Sequence, residues 1–570
     1  MEKIAVDAIP QLIQRLCKEI FRKSEASAEE DLRTQAIPFD YTPPFQIAKP
    51  VDTGVLEHMD EELKVMTRAC DYAVHAMVTY TSKVLNSVQA RRNEHCPIYR
   101  LPNDIIPTIF HFARQCSLGS NDGLLRSAPV NLSQVSRWWR NIALNTPALW
   151  TRIDSQNVIL AELLAKRSKN ELLNINVKLT PTFAYIPIRT KHFTKFLTAH
   201  IHRWESFTLR GNCSFKALDS PAPNLRVLQL HTDEWDDDKC YFDANIFSNH
   251  TPLLHTLTLE GFMIYAGTQF HAGLKILHLY NVQIFGAPQR FTAASLAACP
   301  LLRELILHDI YFDPIDSPLL GNTCVSLHYL EVMRLKMEDE DIISMISSIR
   351  APPSLRLCIT LGYYNHIHTM FPVSQSHQWH SPDIAAIDTL SITVDPADGV
   401  CVVGESSQSH TPLLELRFTQ SHRDAGEIAG IPACFRSTMR LVALSIHGTS
   451  GRVIMNKNTF SILLSHSPAL TTISLRSVPA ELVGELVFTQ AAPYCPLLQS
   501  LHLQEMDLRT ADPILRQLAE SRRHVNTEGC HDLSRIEISN CRGVKEATVV
   551  WLRGFLIEVV WDGGRKEESV

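Results

Sequence analysis

No CxxC pair occurs in this chain of 570 residues, although it holds 14 cysteines. Paired-cysteine zinc ribbons and dithiol redox centres are therefore not expected. The scattered thiols, Cys17, Cys70, Cys116 and Cys358 among them, sit between apolar neighbours and read as reduced core residues, which points to the cytoplasm and/or the nucleus. GxGxxG, GxxxxGK[ST], HExxH and GxSxG are all missing, so the usual warrants for a nucleotide site, a zinc hydrolase or a serine hydrolase are missing too. The expectation is a chain without catalytic residues, cofactor or metal. No run approaches 18 apolar residues, and the opening stretch carries Glu2, Asp7 and Glu19 inside its apolar pattern, so it reads as neither a signal peptide nor a membrane span. An excess of positive charge is also lacking: Lys+Arg 54 against Asp+Glu 60 gives a net charge of -6, which offers no general attraction to nucleic acid or an anionic membrane. What is present is 45% hydrophobic and 20% charged residues, an ordinary folded composition in a chain too long for one compact core unless it is a repeat array.

Residues 1–54 combine an amphipathic helix over 8–23, with Leu12, Ile13, Leu16, Cys17, Ile20 and Phe21 on one face, and a linker carrying Pro38, Pro43, Pro44 and Pro50. Residues 55–95 read as the longest helix. Leu56, Met59, Leu63, Met66, Cys70, Ala73, Met77, Tyr80 and Val84 keep a 3-4 spacing, acids crowd its start, and Arg91-Arg92 close it as the helix dipole favours. Thr67, Ala69, Val74 and Ala76 stand where a pairing coiled coil would carry complementary charges. Intramolecular packing of this helix is therefore favoured over homodimerisation.

Residues 96–154 hold IYRLPNDIIPTIFHFARQ, a Gly/Ser/Asn spacer, and PVNLSQVSRWWRNIALNTPALWTRID. A proline and a capping pair precede Ile105, Ile106, Ile109, Phe110 and Ala113 on a helical face; Leu132, Val135, Trp138/Trp139, Ile142 and Ala143 repeat the period, with Ser133 as a cap and Pro147 as a stop. So small a helical unit carries more apolar surface than it can bury in itself. Leu101-Pro102-x-Asp104-Ile105-Ile106-x-x-Ile109-Phe110, then Val135-Ser136-x-x-Trp139-Arg140-x-Ile142-Ala143 and Thr146-Pro147-x-Leu149-Trp150, resemble the F-box in its fungal form, with Asp104 in place of the usual Glu and a long spacer from Ser117 to Pro129. That resemblance implies binding to the Skp-type linker protein of the SCF complex, and through it to a cullin and a RING subunit. The residues it would assign to linker binding are Leu101, Pro102, Ile105, Ile106, Ile109, Phe110, Leu132, Val135, Trp139 and, less firmly, Ile142, with Leu101, Pro102 and Ile105 preferred as exposed contacts and Trp139 left open between core and interface.

From 155 to 562 a short apolar motif recurs, as in NLRVLQL, LLHTLTL, GLKILHL, LLRELIL and LLQSLHL. The residues opening its terminal apolar-x-apolar triplet are 207, 228, 257, 277, 305, 330, 357, 390, 416, 444, 473, 501 and 536, in steps of 20 to 35 residues. Helix-length apolar segments lie between the copies, at 292–298, 339–349, 459–466 and 513–520 for example. A strand-helix unit of that size cannot bury its apolar side alone, so neighbours must stack. The pattern resembles irregular leucine-rich repeats. The expected fold class is α/β: an N-terminal all-α region with the F-box, then a leucine-rich-repeat-like α/β solenoid, then a charged tail over 563–570. Strand alternation would place the leucines inward and leave a stripe of Gln229, His231, Thr258, Glu260, His278, Tyr280, Ile306, His308, Glu331 and Met333 for an unknown protein substrate.

Two further clusters read as solvated loops: His366, His368, His377 and His380, which could in principle hold zinc, and the acidic run Asp233 to Asp238 around Trp235. Together these readings give a substrate adaptor of an SCF-type ubiquitin ligase, with a non-degradative protein-interaction scaffold as the alternative.

Overall fold

The computed structural model describes residues 11–12, 14–16, 18–19, 53–116, 128–154, 158–178, 195–211, 218–232, 241–242, 245–313, 324–361, 386–395, 399–408, 411–418, 440–448, 455–489, 493–509, 512–522, 531–555 and 557–563. The four-histidine segment, the acidic run and the proline-rich linker lie outside them. The chain divides into two compact units, 1–118 with 131–143, and 119–130 with 144–570.

In the first unit, helix α1 spans Thr53–Glu94. No proline interrupts this run, and Pro97 cannot continue it; Cys96 N donates to Asn93 O at 2.8 Å as the chain leaves the last turn. The expected intramolecular cover is found only at Ala69 and Ala73, which are buried. Leu56, Met59, Leu63, Met66, Met77, Tyr80 and Val84 are exposed, and so is Cys70, which was read as a core thiol. The residues that do make contact are small because a close-packed helix surface favours alanine.

Helix α2 (Ile105–Cys116) follows a 3-10 turn, and α3 (Ala128–Val135) and α4 (Arg137–Leu144) come after the spacer. The cap of α4 is Ser136, not Ser133: Ser136 Oγ accepts a hydrogen bond from Trp139 N at 3.1 Å, the third helical amide, while Ser133 contributes its carbonyl to Arg140 Nε at 2.8 Å. The helical pattern read as one segment is thus two short helices broken at Ser136.

The second unit is built on a mixed sheet of 18 strands. Its strands are β1 (Arg152–Asp154), β2 (Leu173–Lys178), β3 (Trp204–Arg210), β4 (Val227–His231), β5 (Thr256–Glu260), β6 (Met263–Tyr265), β7 (Ile276–Phe285), β8 (Glu304–Asp313), β10 (Val332–Lys336) and β12 (Arg356–Leu361). They continue with β13 (Thr389–Asp395), β14 (Gly399–Ser406), β15 (Thr411–Phe418), β16 (Ala443–His447), β17 (Thr472–Arg476), β18 (Ser500–Gln504), β19 (Arg535–Ser539) and β20 (Glu558–Trp561). Val325–Ser326 (β9) and Ile349–Arg350 (β11) pair separately. Neighbours pair parallel in chain order, except that β5 and β6 both pair with β7, β12 pairs with β15 and β13 with β16, and β14 runs antiparallel between β13 and β15. Helices Asp339–Ser348, Lys457–Ser465, Asp512–Ser521 and Glu546–Arg553 occupy segments between or after these strands.

Register explains the motif. Phe207, Leu228, Leu257, Leu277 and Leu305 stand opposite one another across five strands, as do Leu390, Leu444, Ile473, Leu501 and Ile536 across another five, all buried. Two positions fall elsewhere. The residue opposite Leu305 and Leu357 is Met333, not Leu330, which is buried in the turn before β10. In β15 the residue opposite Leu357 is Leu414, so Leu416 sits two further along with its parity kept.

A second column lies four residues beyond the first, after the strand in most cases and inside β7 and β8 for Asn281 and Asp309. Gly211, Gly261, Asn281, Asp309, Ser477, Glu505 and Asn540 each follow the same point of their strand, and all have positive φ. What these strands share at this point is a backbone conformation, carried by five residue types and not by a fixed asparagine. Gly261 is the most constrained, because a Cβ there would lie 2.5 Å from the Thr232 carbonyl oxygen at φ +79°. Gly261→Ala is expected to cost about 1–3 kcal/mol, read as a lower thermal midpoint with unchanged far-UV circular dichroism.

Candidate functional site

The α2 to α4 segment separates core from surface by helical phase. Ile106 and Phe110 are four residues apart, share one face and are fully buried. Phe110 packs on Trp139 with ring centroids 5.0 Å apart, and Tyr99 stacks on Trp138 at 4.6 Å. Ile106 and Phe110 therefore belong to the core and present no surface to a partner, a correction to their place among the docking residues. Ile109, Leu132, Trp139 and Ile142 are half-buried. Leu101, Pro102, Ile105 and Val135 are exposed, and Phe112, seven residues on from Ile105 along the same face, is 61% exposed. Phe112 went unnoticed in the sequence because it falls outside the motif positions, although its spacing from Ile105 was legible. Asn103 and Asp104, which stand between Pro102 and Ile105 in the chain, are exposed too.

The second candidate is the side of the sheet opposite the leucine columns. Register brings Gln229, Thr258, His278 and Ile306 into one row and His231, Glu260, Tyr280 and His308 into the next. Eight of the ten stripe residues are thereby brought together. The other two are not: Met333 lies in the buried leucine column, and Glu331 precedes β10, where it meets Arg303 at 3.3 Å. A three-residue shift of the frame at β10, from Leu330 to Met333, caused both misplacements, since an odd shift exchanges the faces of the strand. Arg334 and Lys336 are the residues that extend the rows, opposite Ile306 and His308.

The rows are tied together by polar contacts. His231 Nδ1 lies 2.6 Å from Glu260, His278 Nε2 lies 3.2 Å from Glu304, and Lys336 Nζ lies 2.9 Å from Asp309, which also meets His308 at 2.8 Å. Tyr280 stands between the two histidines, its ring 6.1 Å from that of His278 and 6.0 Å from that of His308. Burial lowers the pKa of His278 against the attraction of Glu304; burial, helped by Glu304, raises that of Tyr280. Both groups are thus held neutral near pH 7, as hydrogen-bonding side chains on a half-covered surface. Thr258 and Ile306 are buried among their neighbours, so the histidines, Tyr280 and the carboxylates make up the accessible part.

Beyond β10 the first row continues through Arg334, Cys358 and Glu415. Glu415 is buried and accepts hydrogen bonds from Arg356 at 2.7 Å and Arg417 at 2.7 Å, and from the Cys358 thiol at 3.4 Å. Burial alone would raise its pKa; the arginine hydrogen bonds outweigh it and hold the carboxyl at about 2. Burial also pushes the Cys358 thiol up to about 11, which keeps it protonated. Because the folded pKa of Glu415 is depressed, its stabilisation is full above about pH 4.5, the ordinary value, and is lost as the pH falls toward 2. Glu415→Gln should lose about 1–3 kcal/mol at pH 7, discounted for the half-exposed arginines, and should flatten the acid limb of an unfolding-midpoint profile between those two pH values.

Among the described residues no helix is long and apolar enough to cross a membrane. No curated protein matches the chain. The family model for the F-box-like domain matches residues 98–156, which begin two residues before the exposed Arg100-Leu101-Pro102 turn and end just after β1, so this segment is an F-box-like domain.

Proposed function

We propose that the chain is a substrate-recognition adaptor of a cullin-RING ligase of the SCF type. The F-box-like domain would dock to a Skp-type linker protein, which connects to the cullin and the RING subunit. The single observation that carries this reading is the apolar surface of Leu101, Pro102, Ile105 and Val135, left uncovered within the segment that the family model matches. Protein interfaces place such desolvated apolar anchors at their centre and polar residues at the rim.

The repeating strands of the second unit are read as an irregular leucine-rich-like solenoid. Its His/Tyr/carboxylate rows would meet the target, a protein surface in keeping with their mixed charge. Such an adaptor contributes no reacting group. It acts by proximity, raising the local concentration of target lysines around a ubiquitin thioester, and it would work in the cytoplasm and/or nucleus. Native affinity purification of the full chain tests the assignment. Linker together with cullin supports the ligase adaptor, linker without cullin supports the non-degradative scaffold, and recovery of neither refutes both.

A further inference from the structure

We propose that α1 is a homodimerisation helix that pairs antiparallel with α1 of a second copy. Among the uncovered apolar residues of this helix, Met59, Leu63, Met66, Cys70, Val74, Met77, Val84 and Val88, with Thr81 in the one polar place, fall in one stripe; Val55, Leu56, Tyr72, Val78, Tyr80 and Leu85 are exposed as well, and the buried Ala69 and Ala73 lie along one edge of the stripe. The eight steps from Met59 to Val88 cover 29 residues, close to the 3.6-residue period, so the stripe runs straight along the helix and does not wind around it.

The spacing is also symmetric. The midpoint of Thr53–Glu94 lies between Ala73 and Val74, and about that point Met59, Leu63, Met66 and Cys70 map onto Val88, Val84, Thr81 and Met77, while Val74 maps onto the buried Ala73. Two copies laid antiparallel with full overlap therefore bring Met59 opposite Val88, Leu63 opposite Val84, and Cys70 opposite Met77, each pair occurring twice. A parallel pair would set each residue against its own copy and has no use for this reversal.

Charge selects the same orientation. Residues 57–62 hold Glu57, Asp60, Glu61 and Glu62, whereas the last turn holds Arg91 and Arg92. On a helical projection Asp60 and Arg92 flank the stripe on one side and Glu62 and Arg91 on the other. In the antiparallel arrangement Arg92 of the second copy lies level with Val55, about 7.5 Å along the axis from Asp60. Side chains lean toward the N-terminus of their own helix, so Asp60 and the second copy's Arg92 lean toward each other, as do Glu62 and the second copy's Arg91. Parallel pairing would set acid against acid and arginine against arginine.

Sedimentation equilibrium of the full chain at low ionic strength tests the proposal. The expected species has twice the 64.3 kDa chain mass. Leu63→Glu with Val84→Glu should return it to a monomer while the thermal unfolding of the second unit is unchanged. Asp60→Arg with Glu62→Arg should raise the dimer dissociation constant roughly tenfold, and adding Arg91→Glu with Arg92→Glu to the same chain should restore it. A wild-type monomer at tens of micromolar overturns dimerisation. A dimer indifferent to Asp60→Arg with Glu62→Arg overturns the antiparallel orientation.

Discussion

Leu101→Ala combined with Ile105→Ala is expected to weaken linker binding by more than roughly a hundredfold while the melting of the chain stays within a degree or two of wild type. Both side chains lie on the surface, at 37% and 43% exposure, so truncating them removes partner contacts without opening a cavity. Phe110→Ala supplies the contrast. Its ring is fully buried against Trp139, so its loss should cost about 3–5 kcal/mol through a cavity that α2 and α4 cannot close. That variant loses linker binding as well, but together with the local fold. Isothermal titration with purified linker, run beside thermal unfolding, separates the two. Equal damage to binding and stability from both variants would mean that the exposed set is not the docking surface.

A comparably large loss of stability is expected at Arg522. This residue is buried, and its guanidinium donates to Leu486 O from Nε at 3.0 Å and from Nη2 at 2.8 Å, to Cys495 O at 2.9 Å and to Tyr494 O at 3.1 Å. Three carbonyls from the segments before β18 are thereby satisfied by one side chain, in a place where neither helix nor strand supplies a donor. Arg522→Met keeps most of the volume and strands all three, at about 3–5 kcal/mol. Arg522→Lys should recover little of it, because an ammonium on a flexible stem does not reproduce the planar fork of donors. Chemical unfolding monitored by tryptophan fluorescence gives the difference directly; a change below about 1 kcal/mol for the methionine variant would show that water replaces the guanidinium. Arg203 does similar work at the other end of the unit, donating to Glu171 O and Ser168 Oγ at 2.8 Å each.

Neither arginine was legible as a buried residue. A sequence shows arginine as charge, and only the fold reveals carbonyls left without donors. The same limit explains β10. Ser326 to Val332 reads as a motif with leucines at the usual spacing, yet Leu327 and Leu330 fill the turn while Met333 and Leu335 face the core. The motif specified apolar spacing, and the parallel partners β8 and β12 chose the frame.

Periodicity and capping chemistry by themselves determined much of this protein. They placed the long helix, the short helices around Leu101 to Ala143, and strands near most of the repeat positions, because helices and strands bury apolar residues at fixed and different intervals. Leu101, Pro102 and Ile105 were put forward as exposed contacts by the resemblance to the F-box and not by periodicity.

What only the tertiary structure decided is which side of each element another element covers. Ile106 and Phe110 went to the core and Phe112 to the surface, Glu415 was buried between two arginines that lie far from it or beside it in sequence, and the apolar stripe of α1 was left bare. The physical reason is shared by all of them. Burial is a property of pairs of surfaces, and a single stretch of sequence carries only one member of each pair.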